Sequence, residues 1–148
     1  MSKETLAGEL FKEGYNCAQA VAVAFSEETG LTKEQSAKLV SGFGGGIGRM
    51  REVCGAVSGM AFVLSCLEGY SDPKERAGKK ELYETIQELA SEFREKEGSV
   101  VCRELLKGTG ADSSPVPSER TAEYYRTRGC VGCVECAAAI LEKHLKNS

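Results

Sequence analysis

Cysteine is the residue type with the most chemistry to offer in this chain. Seven are spread along it, Cys17, Cys54, Cys66, Cys102, Cys130, Cys133 and Cys136, against a single histidine, His144. Cys130, Cys133 and Cys136 form a CxxCxxC run, a spacing that sets successive thiols near one another on a helix. One CxxC is a metal or redox signal, and the tandem strengthens it. Zinc wants four ligands, and no second CxxC exists, so a self-contained zinc finger is excluded. CxxCH is absent, which removes covalent haem attachment. The opening residues MSKETLAGELFKEG carry acidic groups where a secretion signal needs an apolar core, so a cytoplasmic location is expected. In that compartment an odd number of cysteines reads as metal ligands or redox thiols, not as structural bridges.

The elements that must position these thiols are helices. Leu6, Leu10 and Phe11 recur at helical spacing in residues 3–12, with Gly14 as the stop. Asn16 with Gln19 predicts a capping box that opens a buried helix, AQAVAVAF, closed by Gly30. Thr32 with Gln35 repeats the signature for a third helix through KEQSAKLVSGF. Residues 42–59, GFGGGIGRMREVCGAVSG, break the backbone with glycines and then deliver Cys54 to the start of an apolar helix reaching residue 68. Val57, Met60, Leu64 and Leu67 form one face of that helix, while Gly55 and Gly59 let a neighbour approach. Asp72, Pro73 and Glu75 predict the start of a long amphipathic helix with Leu82, Ile86, Leu89 and Phe93 as its core stripe and Gly98 as its end. Ser99 is expected to cap a short helix containing Cys102, Leu105 and Leu106. Residues 108–118 read as a loop, residues 118–129 as a short helix, and Cys130 opens a last helix through Ala137, Ile140, Leu141 and Leu145. No strand-like alternation appears. The expectation is an all-α, compact single-domain bundle of about six to eight helices over residues 1–148.

On these helices Cys17, Cys54, Cys102 and Cys130 each fall in the first turn of a different element. A helix start carries unpaired N–H groups and partial positive charge, which favours thiolate over thiol. If those ends pack together, they make a pocket suited to an anionic centre, either thiolates around a metal or a redox-active dithiol. Convergence of the four sulfurs in one pocket is therefore expected. Cys66, inside the apolar 54–68 helix, is read instead as a small core residue.

Other motifs narrow the chemistry. GFGGGIG does not match GxGxxG, lacks a GKS or GKT ending and follows a helix, so phosphate binding is not expected. Its glycines, Gly45 and Gly46 among them, then serve a tight turn that brings Cys54 to the pocket, with Gly55 beside it. Arg49 and Arg51 could stabilise a thiolate or an anionic ligand; the plain alternative is that both are solvated. No ExxH pair exists for a di-iron bundle. His144 is expected to complement the negative end of the last helix.

Composition excludes further classes. The 22 acidic and 19 basic residues give a formal charge of −3, which offers no footprint for nucleic acid. The longest uncharged stretch, residues 54–67, falls short of the roughly 20 residues needed to span a bilayer, so no membrane association is expected.

The blocks GYNCAQAV, GGGIGRMREVCGAVSGM, VCRELL and RGCVGCVECAAAILE, in that order over residues 14–142, resemble the C_GCAxxG_C_C family of redox-active proteins. That family is marked by four cysteines and a CGAxxG motif, and the similarity maps its cysteines onto Cys17, Cys54, Cys102 and Cys130. The chain departs from the pattern by adding Cys133 and Cys136 and by having Gly129 where a proline is usual. The family resembles, more distantly, the iron–sulfur part of split-Soret cytochromes c, which implies a cluster as one possible cargo. The resulting expectation is an iron–sulfur cluster for electron transfer, with Cys17, Cys54, Cys102 and Cys130 as redox residues and those four plus Cys133 and Cys136 as the metal-ligand set. Gly45, Gly46, Arg49, Arg51 and Gly55 would surround it. A metal-free thiol–disulfide oxidoreductase and a non-redox zinc or soft-metal module stay open as alternatives. The expected partners are a redox protein and, at most, a second copy of the chain in a homodimer.

Overall fold

The computed structural model describes residues 1–147. Among them are nine α-helices, six of which have seven residues or more, so the expected all-helical fold holds and the excess over eight is made of short turns. The order is α1 (Lys3–Lys12), α2 (Cys17–Ala24), α3 (Ser26–Thr29), α4 (Lys33–Leu39), α5 (Gly55–Glu68), α6 (Arg76–Glu97), α7 (Cys102–Leu105), α8 (Ala122–Thr127) and α9 (Cys130–Lys146). A 3-10 turn, Ser41–Phe43, follows α4.

Helix α2 is the hub. Its sequence CAQAVAVA is apolar nearly all round, as a helix surrounded by others must be, and α1, α4, α5 and α9 pack on it. Both expected capping boxes form: Asn16 with Gln19 at α2, and Thr32 with Gln35 at α4. Gly55 and Gly59 let α5 lie against α2. A Cβ on Gly59 would sit 2.8 Å from the Ala18 carbonyl oxygen, and one on Gly55 3.1 Å from the Ala18 amide nitrogen. Phe11, Phe25, Met60, Leu64, Phe93, Ile140 and Leu141 fill the core from α1, the end of α2, and α5, α6 and α9. Each such side chain is worth about 1.5–3 kcal/mol of burial.

Four local expectations are corrected. Helix α6 begins at Arg76 with Glu75 as its N-cap, not after Asp72: the Asp72 carboxylate bonds the Lys74 amide in a turn of its own, and Pro73 belongs to that turn. Cys66 is exposed, and so is Leu67: residues 65–69, the C-terminal turn of α5, all lie at the surface. Ser99 does not cap α7; Val101 holds that position, while Ser99 Oγ accepts from the Val101 amide and donates to Glu104. One bridge of β type does form, antiparallel between Val53 and Val101.

Candidate functional site

The chain delivers a thiol to the first position or cap of four helices. Cys17, Cys102 and Cys130 are the first residues of α2, α7 and α9, and Cys54 is the N-cap of α5. All four line one cavity of about 430 Å³, joined there by Cys133 one turn into α9. The bridge at Val53 and Val101 explains part of that convergence. The Cys54 amide donates to the Val100 carbonyl at 2.8 Å and the Cys102 amide to the Glu52 carbonyl at 2.6 Å. The segments entering α5 and α7 are thus clamped side by side, and their thiols arrive together. Cys136 does not line the cavity; it is half-buried on α9, where burial and Glu97 push its thiol up to about 11.

The glycine stretch forms the facing wall. Gly45, Gly46, Ile47, Gly48 and Arg49 have φ of 65, 71, 68, 55 and 65° in succession, one turn of left-handed helix, and Arg51 follows at 63°. A left-handed backbone costs a non-glycine residue roughly 1–2 kcal/mol, so Ile47, Arg49 and Arg51 are held there by their surroundings. Long reverse bonds do the holding: Gly48 to the Gly42 carbonyl at 2.8 Å, Arg51 to Gly45 at 3.1 Å and Glu52 to Gly46 at 2.9 Å. The Gly44 amide closes the 3-10 turn, and the amides of Gly45 and Gly46 have no acceptor among the described residues. Close packing also demands glycine, since a Cβ on Gly46 would stand 2.7 Å from Cys102 Cβ.

The thiols associate in two pairs. Cys130 is lowered to about 7, first by a hydrogen bond from the Cys17 thiol and then, against burial, by Arg128, Arg120 and Arg51. Cys17, the donor, is raised well above the usual thiol range. Cys54 is lowered chiefly by the Cys133 thiol, with help from the Ala56 and Val57 amides at the start of α5. Cys133, whose one S–H can also reach Glu97 Oε1, 3.6 Å from the sulfur, is raised by Cys54, by burial and by Glu97. Burial raises Cys102, opposed by Arg51, whose Nη1 lies 3.7 Å from the Cys102 sulfur. Helix starts alone therefore do not fix which sulfur is charged; within each pair the donor and acceptor differ.

Arg49 and Arg51 are not the solvated side chains of the plain alternative. Arg51 is 8% exposed, its Nε donates to the Asp112 carbonyl at 2.8 Å, and its Nη2 is buried without a partner. Arg49 donates to the Asp112 carboxylate at 3.2 Å, to the Ser118 hydroxyl at 2.9 Å and to the Ser114 carbonyl. These bonds strap the 108–118 loop across the cavity, where Pro115, Pro117 and Ser118 complete the wall. Arg120 anchors the far end: it donates to the Phe11 and Tyr15 carbonyls at 2.9 and 3.0 Å and stacks 4.2 Å from the Phe11 ring. Arg128 lies over Tyr124. Arg120, Tyr124 and Arg128 also line the cavity, and sequence reading passed them over; the alternation of arginine and tyrosine in RTAEYYRTR was the available signal. His144 hydrogen-bonds Glu68 on α5 at 2.9 Å.

Of the expected surrounding residues, Gly45, Gly46, Arg49, Arg51 and Gly55 all line the cavity. Among the described residues no three His, Cys, Asp or Glu side chains already converge as ligands of one metal ion. The donor set nonetheless suits an iron–sulfur cluster: thiols from α2, α5, α7 and α9 share one cavity, with an orphaned buried guanidinium nitrogen beside them. No helix among the described residues is long and apolar enough to cross a membrane. A family model described as "Putative redox-active protein (C_GCAxxG_C_C)" matches residues 15–144. No curated protein and no solved structure matches the chain.

Proposed function

The chain belongs to the C_GCAxxG_C_C family of redox-active proteins, and from that premise we propose that its redox centre is an iron–sulfur cluster held in the cysteine cavity for electron transfer. The observation that carries this reading is the meeting of Cys17, Cys54, Cys102 and Cys130 in one cavity, each at a helix start. When bound, the cluster supplies one-electron exchange at a potential set by its charge, hydrogen bonds and exposure. The chain supplies the rest. The four thiolates hold the metal, with Cys133 next to them. Helix-start amides and Arg51 offset the negative charge that several thiolates bring together. The strapped loop with Pro115 and Pro117 limits water at the sulfurs.

One observation favours a second reading. Cys17 with Cys130, and Cys54 with Cys133, each pair an acidic thiol with a weakly acidic one, the arrangement of a nucleophile and its resolving partner. In that chemistry the Cys130 thiolate attacks a disulfide and expels one sulfur as thiolate. Cys17 then displaces the other, leaving a Cys17–Cys130 disulfide and two reduced thiols.

Anaerobic purification followed by iron, acid-labile sulfide, zinc and visible-spectrum measurements on one sample decides between them. Iron with sulfide is the expected result. Absence of both after anaerobic reconstitution overturns the cluster. Zinc without iron indicates a non-redox module, and a metal-free, reversible two-thiol titration indicates exchange.

A further inference from the structure

The cysteine cavity is cationic in a chain of net charge −3. Arg49, Arg51, Arg120 and Arg128 line it, and among the described residues no Asp or Glu does. Arg49 is engaged by the 108–118 loop and Arg120 by the carbonyls of Phe11 in α1 and Tyr15 in the link to α2. Arg51 has more capacity than its partners use. It is more than nine-tenths buried, its Nη1 has only the Cys102 sulfur at 3.7 Å, and its Nη2 has nothing. A buried charged donor without an acceptor is costly, and an anionic group reaching it offsets that cost. The unpaired amides of Gly45 and Gly46 lie on the same wall, and successive amides in a turn form an anion-binding concavity. Helices α2, α5 and α9 open onto the space with their positive ends.

We propose that this wall is a binding site for a small molecule bearing a carboxylate or other oxyanion group, held by Arg51 and the glycine-turn amides, with the rest of the ligand against the thiols. The volume, about 430 Å³, is in the range of small-molecule sites, and Tyr124 with the loop prolines gives it an apolar side. All of these groups belong to the chain itself, so the site needs no metal; it shares the cavity and the sulfurs with the cluster reading, and ligand and cluster compete for that space.

The test uses metal-free, fully reduced protein and compares alkylation by iodoacetate, which is anionic, with iodoacetamide, which is neutral, at each cysteine by mass spectrometry. Cys66, exposed in the same chain, is the internal reference. The expected result is an iodoacetate-to-iodoacetamide rate ratio about tenfold higher at the cavity thiols than at Cys66, in line with cationic steering. Inorganic sulfate at constant ionic strength removes that excess and chloride does not. Arg51→Met abolishes it; Arg51→Lys, which keeps the charge and loses the fork, retains only part. Equal ratios at all cysteines, or an excess indifferent to sulfate, overturn the proposal. If the cavity thiols resist both reagents, calorimetric titration with sulfate decides: saturable one-to-one binding weakened in Arg51→Lys supports the site, and no binding overturns it. Because iron plays no part, this failure and a failure of the cluster are separately visible.

Discussion

At the scale of single residues, the thiols differ more from one another than their shared placement at helix starts implies. Metal-free Cys130, lowered to about 7, should gain reactivity toward alkylating agents as pH rises from 6 to 8, whereas Cys17, raised by the same pairing, should stay slow over that range. Per-site alkylation rates against pH read this directly. The sign for stability follows from the same shift. Cys130 has a depressed folded-state pKa, so its stabilising contribution is complete above the unfolded thiol value and declines as pH falls toward 7. Arg128→Ala removes the first cationic contributor and should move the Cys130 profile to higher pH. Cys66→Ala, at an exposed site off the cavity, should leave iron, sulfide and thiol behaviour intact, while Cys54→Ser and Cys130→Ser should each abolish cluster content. Position 66 also marks where sequence patterning stops. Periodicity located the apolar helix but carried no information about where its neighbours end, and that boundary decides which of its last-turn residues are covered.

The elements were legible where their signals are local. Capping boxes and the apolar stripes of α2 and α9 depend on residues three or four apart and formed where the chain indicated. Gly30, by contrast, read as the end of α2, closes the short α3 after α2 has stopped at Ala24, and Leu67 falls outside the buried face of α5. The left-handed turn at residues 45–49 was legible only as a glycine run. Its hand is imposed by bonds reaching back five and six residues and by Cys102 pressing on Gly46, none of which leaves a sequence period. The clamp between Val53 and Val101 is similarly invisible, being one residue long and nearly fifty apart in the chain. Two glycines of opposite meaning test this account. Gly59→Ala forces a Cβ to 2.8 Å from a backbone oxygen of α2 and should destabilise by about 1–3 kcal/mol. Gly132→Ala, exposed inside α9 with nothing within 4 Å of the new Cβ, should stabilise by roughly 0.5–1 kcal/mol. Thermal melts of both variants under reducing conditions check the signs.

For the whole molecule, the decisive arrangement is that the cavity sits at one end of the core, sharing with it α2, α5 and α9 and the side chains of Phe11, Cys54 and Cys133. Phe25, Met60, Phe93, Ile140 and Leu141 do not line the cavity, and of the large fully buried side chains Phe11 does, so most of the core forms without what the thiols hold. Chelation should therefore release iron while helical circular dichroism persists, unlike small metallo-domains that unfold without their ion. Access to the cavity, by contrast, is governed by the 108–118 loop, which is tied down by the two arginines of the strained turn and by Arg120 at its far end. Arg49 is the point to release, because its bonds to Asp112, Ser114 and Ser118 fix the middle of the strap while its side chain contributes nothing to the core. Arg49→Ala should raise the rate at which iodoacetamide reaches Cys102 and Cys130 severalfold, speed hydrogen exchange across residues 108–118, and change the melting temperature little, since the strap's ion pair is exposed at Asp112 and weak. Equal alkylation rates in the variant and the parent chain would show that the cysteines are reached by another route, and would remove the loop from control of the centre.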